Sequence, residues 1–179
     1  MYFKNPGIEN TEKTIELAIK TAKERSIKHI VVASTKGYTA RLLKDSGLDV
    51  TVITHVYGFK EPGKQEMPQN IIEELKGYGF KVYAGTHVLS GAERAISGKF
   101  SGVNPVEIIA HSLRMLGQGV KVSVEISTMA LDTGLIPYGE DIIAIGGSKE
   151  GADTAVIIRP AHASKIFDTK IKEIICKPL

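Results

Sequence analysis

"VVASTKGYTARLL", residues 31–43, joins a run of small and apolar residues to a helical pattern through one polar turn. Upstream, "KHIVVAS" (28–34) reads as a buried strand, and Thr39 to Lys44 reads as the start of a short helix that stops at Gly47. A strand running through a tight junction into a helix is half of a βαβ unit. Whether the same pattern repeats along the chain decides the fold.

It does repeat. Residues 11–25, "TEKTIELAIKTAKER", place Ile15, Ala18, Ile19 and Ala22 at helical spacing. "DVTVITHV" (49–56) is a second β-branched run, followed by a polar loop at 57–67. Pro68 suits the first turn of a helix carrying Ile71, Ile72 and Leu75, which Gly77 or Gly79 ends. "KVYAGTH" (81–87) reads as a third strand. Asn104 and Pro105 open a helix through Leu116, with Glu107 spaced to complete a capping box. Strands are then expected at "VKVSVEIS" (120–127), "DIIAIGG" (141–147), "TAVIIRP" (154–160) and "IKEIICKP" (171–178).

Alternating strands and helices imply parallel pairing through crossover helices. The expected fold is therefore a three-layer α/β/α sandwich with a mostly parallel sheet. The closing strands, joined by the short turn "GSKEGAD", are expected to add an antiparallel edge. No linker, repeat or low-complexity tract divides residues 1–179, so one domain is expected.

Composition narrows the function classes. The chain is 42% apolar and 24% charged with a formal net charge of +3, and its lysines are scattered. A nucleic-acid surface is not expected from that pattern. No apolar run approaches the roughly 20 residues of a membrane span. "MYFKNPGIENTEK" has no signal-peptide core, so the expected compartment is the cytoplasm. The single cysteine, Cys176, allows no internal disulfide or cysteine metal cluster.

In open α/β sheets a ligand sits outside the carboxyl ends of the strands. Here those ends are polar and rich in glycine. The first is Ser34, Thr35, Lys36, Gly37, Tyr38 and Thr39; the others are Thr54-His55, Thr86-His87 and Gly146-Gly147-Ser148. At the first junction hydroxyls, a lysine, backbone N–H groups and a glycine meet at a helix start, which is what a phosphate monoester requires. The same residues also serve as an ordinary cap and turn, and both readings stand. The two histidines lack a third ligand at metal spacing, so polar lining is expected and a metal site is not. Ser90 and Glu93 have capping-box spacing. Glu107, His111 and Arg114 share one helical face and read as its polar side. Glu125 interrupts an alternating apolar strand, where it either orients a ligand or pairs with a lysine.

Several motifs run together: "ASTKGYTARLL", "THVLSGAERAI", "NPVEIIAHSLRMLGQG", "MALDTGLIP" and "GADTAVIIRPAHASKIFDTKIKEI". Through them nearly the whole chain resembles a family of stand-alone archaeal proteins related to the C-terminal α/β domain of pyruvate kinase. In pyruvate kinases the matching turn reads Thr-Lys-Ser-Gly-Arg-Ser and holds a phosphate of the sugar-bisphosphate activator. Ser34, Lys36, Gly37 and Thr39 occupy the places of its Thr, Ser, Gly and Ser. The lysine is shifted by one place and tyrosine stands for the arginine. The turn from Gly146 to Asp153 matches the loop that closes over the same ligand.

The resemblance also implies a cofactor, FMN. Its phosphate would lie in the Ser34–Thr39 cradle, and its ring among Tyr38, His55 and His87. No pyruvate kinase activity is expected of this chain, because the resemblance covers only the α/β domain. The leading expectation is a binding protein for a phosphorylated small molecule. The alternatives are a flavin-dependent oxidoreductase and an effector-sensing domain without catalysis, and a homo-oligomer is left open.

Overall fold

Strand register accounts for where the polar junctions meet. A computed structural model describes residues 1–179. Its strands are β1 (Tyr2–Phe3), β2 (His29–Ala33), β3 (Asp49–Thr54), β4 (Lys81–Ala84), β5 (Ile142–Gly146), β6 (Thr154–Arg159) and β7 (Lys170–Pro178). They form one sheet in the order β1-β7-β6-β5-β2-β3-β4. β5, β2, β3 and β4 are mutually parallel, while β6 runs antiparallel to both β5 and β7. The expected three-layer fold with an antiparallel edge is therefore present. β1, which pairs in parallel with β7, adds an outer strand not expected from the sequence.

Side-chain alternation splits the core in two. Ile30, Val32, Val50, Val52, Ile143 and Ile145 point to one face. There they meet helix α1 (Thr11–Glu24), the single turn α2 (Tyr38–Arg41) and α3 (Gln69–Gly77). Val31, Ile53, Ile142, Ala144, Val156 and Ile158 point to the other face and meet helix α6 (Gln118–Asp132). Helix α5 (Pro105–Arg114) packs outside α6, and α4 (Gly91–Phe100) buries no residue fully. This period-two partition is what a parallel sheet covered on both faces demands.

Three local expectations are corrected. Residues 120–127 are helical, inside α6, and not a strand. That helix is buried from Gly119 through Leu131 apart from Val122, so it shows no polar stripe of helical period. Its β-branched residues imitate a strand. The helix expected over residues 39–47 is shorter: after Arg41 the chain continues as turns, with Leu43 N donating to Ala40 O at 3.0 Å. The third strand stops at Ala84, leaving Gly85 to His87 as loop. The Asn104–Glu107 capping box does form, with Asn104 N donating to Glu107 Oε2 at 2.9 Å.

Gly37 has a packing duty. Its φ is 90°, and a Cβ there would lie 2.4 Å from Ile71 Cγ2 of α3. Gly37→Ala is accordingly expected to lower stability by about 2 kcal/mol through strain and overpacking. Adding Ile71→Ala should return part of that loss. Urea titration of the two single variants and the double variant checks this, and purely additive effects would count against the clash.

Candidate functional site

The register aligns the strand ends. Ala33 pairs with Ile53, Val32 with Ile145, and Thr54 with Ala84. The residues that follow, Ser34-Thr35, His55, Gly85 to His87 and Gly147, therefore come out along one rim. Ser34 N donates to Ile53 O at 3.0 Å and carries the pairing one residue further. A two-lobed cleft opens above this rim. Both lobes share Ala33, Ser34, Thr35, His55, Gln118 and Val122.

The outer lobe, about 500 Å³, lies between the first junction and the glycine-rich turn after β5. Ser34, Thr35, Lys36, Tyr38 and Thr39 line one wall; Gly147, Ser148 and Lys149 line the other. Ser34 Oγ accepts from Ala40 N at 3.4 Å, while the N-cap position of α2 is Gly37, which has no side chain to cap it. The hydroxyls of Thr35, Thr39 and Ser148 have no partner within the protein and are free to meet a ligand. Lys36 and Lys149 are exposed and take part in no ion pair. With α2 only one turn long, these side chains outweigh any helix dipole as an anion anchor. Asp153 holds the turn from below, where Ser148 N donates to its Oδ2 at 3.2 Å and Thr154 Oγ1 to its Oδ1 at 2.8 Å.

The inner lobe, about 350 Å³, reaches under α4 and α5 toward α6. Thr54, His55, His87 and Glu125 line it. Glu125 lies on α6 and is paired: Lys121 Nζ donates to its Oε2 at 2.5 Å, and Leu89 N to its Oε1 at 3.0 Å. Burial pushes the His87 imidazole below its usual pKa; Glu125 opposes that shift and nearby His55 adds to it.

His55 sits where the lobes join. Its Nδ1 donates to Glu66 Oε2 at 2.5 Å, and Lys60 Nζ lies 2.9 Å from the other Glu66 oxygen. Burial works against ionisation of Glu66, but the bonds from His55 and Lys60 outweigh it and hold the carboxyl below its ordinary pKa. The His55 ring packs on Phe59 with centroids 4.0 Å apart, and on His87 at 5.4 Å.

Of the residues singled out in the sequence, Gly37, Thr86 and Gly146 line neither lobe. Gly37 packs on α3, and Gly146 packs on α6, where a Cβ would meet Gly119 O at 2.6 Å. The Ser90–Glu93 capping box does not form; Ser90 lines the inner lobe instead. Glu107, His111 and Arg114 also line that lobe rather than a plain polar face. Sequence reasoning did not assign Phe59, Lys60, Glu66, Arg94, Gln118, Lys121 or Lys149 to the site. Only the Lys121–Glu125 spacing of four carried a readable signal, and reading the segment as a strand concealed it. No set of three or more His, Cys, Asp or Glu side chains converges as a metal would need. No helix is long and apolar enough to cross a membrane.

A model of the pyruvate kinase alpha/beta domain matches residues 12–158. Among solved structures, a pyruvate kinase from Cryptosporidium parvum is 20% identical with a TM-score of 0.45, over 84% of this chain and 22% of that one. A Cryptosporidium parvum pyruvate kinase in complex with ADP is also 20% identical with a TM-score of 0.45, over 84% of this chain and 23% of its own. This chain thus spans less than a quarter of the length of either enzyme.

Proposed function

The chain belongs to the pyruvate kinase alpha/beta domain family, and from that premise we propose that it binds a phosphorylated small molecule, best matched by FMN. The observation that carries the reading is the outer lobe, where unpaired hydroxyls and two unpaired lysines converge from separate loops. A phosphate monoester offers three acceptor oxygens and about two negative charges, which this donor set matches. Ser34, Thr35, Lys36, Thr39 and Ser148 would hold the phosphate. Tyr38 and the His55–Phe59 pair would offer flat surfaces to the ring. Both lobes fall within the roughly 300–1,000 Å³ of small-molecule sites. When bound, FMN supplies redox chemistry. A flavin-dependent oxidoreductase is the second reading, favoured by the open inner lobe beside the proposed ring position.

Titration of FMN into stripped protein, followed by absorbance and fluorescence, tests the proposal. Saturable binding is expected. Lys36→Ala should weaken it roughly ten- to hundredfold, because a hydrogen bond to a charged group contributes about 1.5–3 kcal/mol. Absence of FMN binding, or a Lys36→Ala variant as tight as the parent, overturns the reading. Reduction of bound flavin by NAD(P)H would favour the oxidoreductase.

A further inference from the structure

The inner lobe holds groups that a phosphate in the outer lobe leaves unused. Arg94 of α4 and Arg114 of α5 both line it. Neither has a carboxylate partner; Arg114 Nε donates only to the neutral Gln118 Oε1 at 2.8 Å. The acids of the lobe are already committed. Glu107 accepts from Asn104 N at 2.9 Å and from Ser97 Oγ at 2.8 Å, which hold it ionised below the ordinary range. Glu125 is taken by Lys121 and the Leu89 amide. Two exposed guanidinium groups without an ion-pair partner therefore border a lobe whose two carboxylates already have their own donors. Planar forks match carboxylates.

His55 supplies the second element. Its Nδ1 is committed to Glu66, whose side chain is 10% exposed and is held again by Lys60. Gln65 Nε2 donates to His55 O at 2.9 Å, and Phe59 backs the ring. In the neutral tautomer that donates Nδ1–H to Glu66, Nε2 is the acceptor of a ring that lines the lobe. His87 is the nearest other ring, and burial favours its neutral form.

We infer that the inner lobe is a second ligand subsite, built for a small hydroxy acid whose carboxylate lies on Arg94 and Arg114 and whose hydroxyl donates to His55 Nε2. At about 350 Å³ the lobe suits a small acid and leaves little room for a second nucleotide. The assignment rests on the reading above, in which the phosphorylated ligand is anchored in the outer lobe.

Calorimetric titration of malate, succinate and inorganic phosphate into FMN-loaded and FMN-free protein tests it. Malate should bind saturably. Succinate, which has both carboxylates but no hydroxyl, should bind at least about fivefold more weakly. Arg94→Gln, on a helix that buries no residue fully, should weaken malate about tenfold or more and leave FMN affinity unchanged. His55→Ala should erase the preference for malate over succinate, while Glu66 keeps Lys60 as partner. Malate that fails to bind, binds no better than succinate, or ignores Arg94→Gln overturns the subsite. So does phosphate binding that depends on Arg94 in the absence of malate binding. FMN binding without malate binding sinks only the subsite; malate binding without FMN binding sinks only the cofactor reading.

Discussion

Riboflavin is expected to bind stripped protein about a hundredfold more weakly than FMN. The two share the ring and differ in the phosphate. The outer lobe collects the unpaired hydroxyls of Thr35, Thr39 and Ser148 beside Lys36 and Lys149. Thr39 is 4% exposed, so its donor leaves bulk water when a ligand closes the lobe. Donors closed off without their anion cost about 1–3 kcal/mol each, and a hundredfold change corresponds to about 2.7 kcal/mol. The ring side offers less: Tyr38 is 45% exposed, and the chain has no tryptophan. Parallel calorimetric titrations of both flavins decide the point. Equal affinities would mean that the ring is the anchor and that the phosphate does not occupy the outer lobe.

Glu125→Ala is expected to cost about 3–5 kcal/mol of stability, because it strands the ammonium of Lys121 in a buried position. Both side chains are only 6% exposed, and they meet at 2.5 Å. The same change removes the acceptor for Leu89 N, which is buried as well. For a chain of this size that loss corresponds to a fall in Tm of about 6–20 °C. Replacing both residues, Glu125→Leu with Lys121→Met, removes the uncompensated charge and should recover most of the loss. Urea denaturation of the parent, the single variant and the double variant provides the comparison. A single-variant cost below about 1 kcal/mol would show that water entering from the cleft solvates Lys121.

Much of the architecture was legible because it rests on local periodicity. The apolar runs of β2, β3, β5 and β6 and the stripe of Ile15, Ala18 and Ala22 each state their own element. The Asn104–Glu107 box states where α5 begins. Where burial surrounds an element, periodicity disappears. In α6 Val120, Val124 and Ile126 are buried together with Lys121, Ser123 and Glu125, so no polar face marks the helix. β1 is two residues long and gains its identity from β7 alone.

For the site, the sequence by itself determined the junction chemistry, since Ser34 through Thr39 are contiguous and a parallel strand must end beside a turn. It also placed His55 and the Gly147–Ser148 turn just after strands, which parallel register brings to one rim, whereas His87 lies three residues beyond the end of β4. Tertiary structure alone decided which residues form the second lobe. Arg94, His111, Arg114 and Lys121 come from three helices, and whether a polar helix face meets solvent or a cleft depends on how those helices pack. Tertiary structure also gave Gly37 its partner, Ile71, 34 positions away in sequence. The physical reason is range. Backbone conformation and hydrophobic period are set by neighbours within one or two turns, whereas a cavity, an ion-pair partner or a clash at a missing Cβ belongs to contacts between distant segments.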